Sequence, residues 1–102
     1  MVHLGETIRW ENQFQDFPKK GETAGSYITP SSHDISLLDP DGIEVFSSTS
    51  PDAATDADGH PYNYVDIPID DGWDEGNFKL VWKATHGSNT WVTAREFAVE
   101  AP

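Results

Sequence analysis

Asp56 and Asp58 stand at alternate positions ahead of Gly59, the spacing at which an EF-hand-type loop offers carboxylates to calcium. In that register Ala54 holds the first ligand position and Val65 the last, where a bidentate glutamate is needed. Two carboxylates do not displace the water shell of a calcium ion, so the segment reads as a solvated acidic loop, with Asp56 and Asp58 a weak cation site at most. His3, His33, His60 and His86 are scattered, and no two have zinc-site spacing; they read as exposed side chains without a ligand role. Serines fall in polar stretches, with no Gly-x-Ser-x-Gly elbow and no base placed by a motif. The absence of cysteine excludes a thiol nucleophile, a thiolate metal site and a disulfide. With 18 acids in 102 residues, carboxylate pairing carries no information. The expectation is a protein that is not an enzyme and needs no cofactor.

The aromatic residues are more informative. Trp10, Phe78, Trp82 and Phe97 sit in phase with alternating apolar positions and read as core. Trp73 lies in a turn between Asp71 and Asp74-Glu75, and either folds back to plug one end of the molecule or stands out as an anchor for a partner. Tyr27 and Trp91 share that ambiguity. Lys19-Lys20, the single basic pair, offers a complementary contact to an acidic neighbour or else is a solvated turn. Trp73, Tyr27, Trp91, Lys19 and Lys20 are therefore the candidate partner-binding residues.

Charge narrows the partners. A formal net charge of -12 repels phosphate, which excludes nucleic acid and disfavours anionic membrane surfaces. No apolar run is long enough for a membrane span, and residues 1–7 lack the basic and apolar regions of an export signal. Either the chain is cytoplasmic in origin or a leader has been removed; beginning with Met1 and stopping soon after its last strand, it reads as a complete small open reading frame. Eleven Asp against seven Glu, with only four Lys, is the bias expected of a halophilic protein. At molar salt the screening length is about 3 Å and the self-repulsion of such a surface largely disappears.

Period-two alternation recurs along the chain, and helical spacing does not. Strands are predicted over residues 6–14, 33–38, 43–46, 62–67, 78–84 and 90–99, with a seventh around 27–29. Asp39-Pro40-Asp41-Gly42 joins two of them as a tight turn, in which Asp39 accepts backbone N–H groups and Gly42 supplies a permissive exit. Residues 47–59 carry no large apolar side chain and are expected to form a long exposed loop. Six or seven strands in one domain spanning 1–102 predict an all-β, antiparallel sandwich, with a small closed barrel as the alternative.

Asp74-Glu75-Gly76-Asn77-Phe78 resembles the Asp-x-Gly-x-Tyr corner that opens the penultimate strand of immunoglobulin-like domains, with Phe in place of Tyr. Taken with the Asp39–Gly42 turn, Tyr62-Asn63-Tyr64, Phe78-x-Leu80-x-Trp82 and Glu96-Phe97-x-Val99, the chain is similar to cysteine-free Ig-like modules of prokaryotic cell-surface proteins and of tailed-virus accessory proteins. That resemblance implies an Ig-like β-sandwich acting as a structural or interaction module. The expected role is a virion accessory protein of a halophilic tailed virus: a capsid decoration, turret or tail-associated protein. It would assemble in the host cytoplasm and bind other virion proteins or its own copies. The alternative is an adhesion or carbohydrate-binding module, extracellular or at a cell surface.

Overall fold

The computed structural model describes residues 2–16, 18, 20, 21 and 25–102; its regular structure is all β, with no helix among those residues. Alternation is strongest in Gly76–His86, where Phe78, Leu80, Trp82 and Ala84 are buried and Asn77, Lys79 and Lys83 are exposed. Asn89–Glu100 folds back along it in unbroken register from Asn89↔His86 to Val99↔Gly76. No bulge interrupts the parity, so Trp91, Thr93, Arg95, Phe97 and Val99 share one face.

Ten strands are described: β1 (Val2–His3), β2 (Thr7–Asn12), β3 (Phe14–Gln15), β4 (Tyr27–Ile28), β5 (Ser32–Leu38), β6 (Glu44–Ser48), β7 (Asp52–Thr55), β8 (Pro61–Pro68), β9 (Gly76–His86) and β10 (Asn89–Glu100). One sheet has the order β1-β10-β9-β5-β6, a second β2-β8-β7, and β3 pairs with β4 apart from both. The first sheet is mixed rather than purely antiparallel, because β1 lies parallel to β10 through Val2↔Val99 and His3↔Glu100. The count exceeds six or seven for three reasons. β1 is added, the first predicted strand breaks at Gln13 into β2 and β3, and β7 occupies part of the expected loop. Residues 47–59 are thus not one exposed loop: β6 runs on to Ser48, and β7 pairs with β8 from Asp52↔Tyr64 to Thr55↔Pro61.

The two larger sheets face each other across one core. Ile35 and Leu37 of β5, Phe78, Leu80, Trp82 and Ala84 of β9 and Val99 of β10 meet Trp10 of β2 and Val65 and Ile67 of β8, with Phe14 and Ile69 completing the cluster. Trp10 meets Trp82 edge-on, with centroids 5.5 Å apart and ring planes at 82°. A buried indole N–H needs an acceptor, and Trp82 Nε1 donates to His33 Nδ1 at 3.1 Å.

The turns follow their residue chemistry. Asp39 Oδ1 accepts the N–H groups of Asp41 and Ile43, each at 2.9 Å, and Gly42 takes φ 82°. Gly76 opens β9 at φ 141°, close against the Pro40 ring; a Cβ at Gly76 would lie 2.7 Å from Pro40 Cγ.

Candidate functional site

One side of the molecule is open. β10 pairs with β9 along one edge, but among the described residues its other edge pairs only with β1, at Val99 and Glu100. Among the described residues no strand pairs with 89–98 along this edge, roughly 33 Å long at strand rise, although at its start Asn89 Nδ2 donates to Asp16 Oδ1 at 3.4 Å. On the same side β2 is the outer strand of the facing sheet. Between these strands lies a cleft of about 280 Å³ lined by Val2, Ile8, Arg9, Trp10, Leu80, Arg95 and Phe97. Asn12 Nδ2 donates to Thr93 Oγ1 at 3.1 Å and ties β2 to β10 one inward position beyond Arg95.

The cleft holds both arginines of a strongly acidic chain. Arg9 is engaged elsewhere: Nε and Nη2 donate to Asp66 Oδ1 and Oδ2 at 2.7 and 3.1 Å, and its guanidinium lies 4.2 Å from the centre of the Tyr64 ring. The bond from Arg9 holds the Asp66 carboxyl below the usual carboxylate range. Arg95 stands at an inward-facing register position yet is exposed, and its guanidinium has no hydrogen bond or ion pair among the described residues. Val92, on the opposite face of the same strand, is 63% exposed.

A second surface lies on the outer face of β8. Tyr62 and Tyr64 stand there with centroids 6.2 Å apart, and Glu11, Gln13, Asp56 and Tyr62 line a shallow depression. Gln13 Nε2 donates to Asp56 Oδ2 at 2.9 Å. That bond, together with the backbone N–H groups of His60 and Asp58, lowers the Asp56 pKa.

Asp56, Asp58 and His60 do bring three potential ligand atoms within 4.8 Å of one another. The turn explains the arrangement: Asp56 Oδ1 accepts the N–H groups of Asp58 and His60, each at 2.9 Å, and Gly59 takes φ 80°. This repeats the Asp39 turn, so the calcium-like spacing has a structural cause.

The sequence-predicted partner residues are not gathered into one patch. Trp73 is half-buried and stacks on Phe78 at 5.9 Å, plugging one end of the core. Trp91 packs against Phe14 at 6.4 Å, near the opposite end of β9. Tyr27 stacks on His60 at 4.1 Å with the rings 19° apart. Lys20 is exposed, and Lys19 lies outside the described residues. The expectation of exposed histidines is corrected at His86, half-buried with its Nδ1 out of solvent and without a hydrogen-bond partner among the described residues, and at His33, half-buried against Trp82, where burial lowers its pKa. Arg95 was missed, although a charge in phase with Phe97 and Val99 is a readable anomaly in an apolar strand face.

In comparisons with protein-family models, curated proteins and solved structures, nothing matches this chain.

Proposed function

We propose that the chain is a non-catalytic interaction module and that its two facing sheets form an Ig-like sandwich. The strand orders support the fold reading. Ig-like sandwiches set strands C, F and G, with C′ in the variable type, against B, E and D. The orders β10-β9-β5-β6 and β2-β8-β7 fit that pattern, and Gly76 opens the penultimate strand as the resemblance requires. In such a sandwich Trp10 on β2 and Trp82 on β9 span the two strands that a disulfide joins in antibody domains.

The observation that carries the functional reading is the unpaired edge of β10. A long strand edge of free backbone groups is a template for another strand, in a partner or in a second copy. The protein is, in this reading, an accessory structural component of a virus particle in concentrated salt, attached through that edge. Particles purified from the chain's own source and resolved by mass spectrometry test it. The protein should be present in them, and Val92→Lys/Ala94→Lys, at two exposed positions on the edge, should release it without lowering the melting temperature. Absence of the wild-type protein from the particles overturns the virion role, and undiminished attachment of the double variant overturns edge docking.

The outer face of β8 favours a second reading, carbohydrate binding. Tyr62 offers a ring to a sugar, and Glu11, Gln13 and Asp56 offer hydrogen-bonding groups to its hydroxyls. Retention on neutral-polysaccharide affinity gels that Tyr62→Ala abolishes would support it; equal migration of both proteins on every gel would count against it.

A further inference from the structure

We propose that the occupant of the β10 edge is an extended peptide segment of the partner, with an acidic side chain opposite Arg95 and an apolar side chain two residues away filling the cleft. This rests on the edge-docking reading above and specifies the chemistry it recognises.

Three observations converge. First, the cleft is not an isolated pocket: it opens along the strand edge, between the outer strands of the two sheets. An added strand satisfies the free backbone groups of β10, while its alternate side chains point toward the cleft. Second, the cleft wall is apolar, made by Val2, Ile8, Trp10, Leu80 and Phe97 around the Arg95 position, and at about 280 Å³ it has room for one leucine or phenylalanine side chain. Third, Arg95 is uncommitted. Acids outnumber bases 18 to 6, yet the guanidinium at this inward position has no carboxylate partner among the described residues, while Arg9 nearby is bound to Asp66 through two hydrogen bonds. A guanidinium at the lip of an apolar cleft accepts a carboxylate in a fork of two hydrogen bonds and rejects an ammonium. Cross-strand neighbours on one face are the residues that interact, so the acid belongs opposite Arg95 and the apolar residue one step of two away, toward Phe97.

Inward-pointing charge is also a device that keeps strands off an edge, and in that case Arg95 discourages every incoming strand alike. A charge-swap experiment separates the two. The probe is a blocked octapeptide of sequence Thr-Leu-Thr-Glu-Thr-Leu-Thr-Ser, its control the same peptide with lysine for glutamate, each titrated into the full chain at a salt concentration where it is folded. Total tryptophan fluorescence and backbone amide shifts are the readouts. The glutamate peptide should bind at least tenfold more tightly, with shifts confined to residues 89–98 and β2 (on the order of 1.4 kcal/mol for tenfold). Arg95→Lys should retain the preference, and Arg95→Glu should invert it. Equal binding of the two peptides, or a preference that Arg95→Glu leaves unchanged, overturns the proposal. If neither peptide binds while Val92→Lys/Ala94→Lys still releases the protein from particles, the peptide chemistry fails and edge docking stands. If neither peptide binds and the double variant stays attached, both fail.

Discussion

In Asp39-Pro40-Asp41-Gly42 and again in Asp56-Ala57-Asp58-Gly59, one carboxylate oxygen receives the backbone N–H groups two and four residues onward at 2.9 Å. Asp70 does half of this for Gly72 at 2.7 Å. Part of the acidic content is therefore turn chemistry. Where the preceding turn packs tightly, a single atom decides: Gly76→Ala places a methyl group against Pro40 in a backbone region that side chains rarely adopt. It is expected to lower unfolding free energy by roughly 2 kcal/mol, read by urea denaturation. His33 sets a different dependence. Its folded pKa lies below the ordinary value because burial disfavours the imidazolium, so the unfolded chain takes up a proton first. The contribution is complete above about pH 6.5 and is lost as pH falls from there toward the lowered folded value. Asp56 and Asp66 have lowered pKa values, so their contributions persist to about pH 4 and disappear as pH falls through the folded values. Urea midpoints followed from about pH 8 to about pH 3 should fall in two stages. His33→Gln should remove the first stage and leave the second.

Among the elements, β5, β8, β9 and β10 were legible because each has an inward face that writes a two-residue period into the sequence, and β6, with no fully buried residue, was legible as the return strand of the Asp39–Gly42 turn. β7 has no such face. Asp52–Thr55 carries two alanines between polar residues, and it is a strand because its backbone pairs with β8. β1 is two residues long and exists because β10 ends beside it. Nothing local encodes either pairing. The candidate cleft was half legible: the phase of Phe97 and Val99 was readable, and Arg95 shares it, but the missing strand beside β10 is a property of sheet order. Trp73 was ambiguous for the same kind of reason, since the ring it stacks on, Phe78, is reached only after a turn. Hydrogen exchange should show the difference between strands held by packing and strands held by backbone alone. Amides of β9, paired on both sides, should exchange on the order of a hundredfold or more slowly than those of β7, an outer strand.

At the scale of the whole molecule, a radius of gyration of 15.5 Å exceeds the roughly 13 Å usual for this length, and the extents of 50 × 28 × 22 Å describe an elongated body. Its 6276 Å² of surface carries a net charge of -12. Among the described residues Arg9–Asp66 is the one ion pair involving an arginine or lysine, so little of the repulsion is neutralised locally. Raising salt from tens of millimolar to molar shortens the screening length from tens of ångströms to about 3 Å and should raise the thermal midpoint. A midpoint that stays level or falls would remove the halophilic reading. The clasp of β1 on the last two residues of β10 has a topological consequence. Val2 and Val99 are neighbours, so the backbone nearly closes a ring at one corner of the body. Because the two strands run parallel, splicing tail to head takes a return linker of about a dozen residues rather than a tight turn, and a new opening cut in the exposed tip between Asp41 and Gly42 would leave the other strand neighbours intact. Such a circular permutant should refold with an unchanged circular-dichroism spectrum, its new ends leaving from the Asp39–Gly42 turn at the same end of the sheet, beside Gly76 and away from the β10 flank.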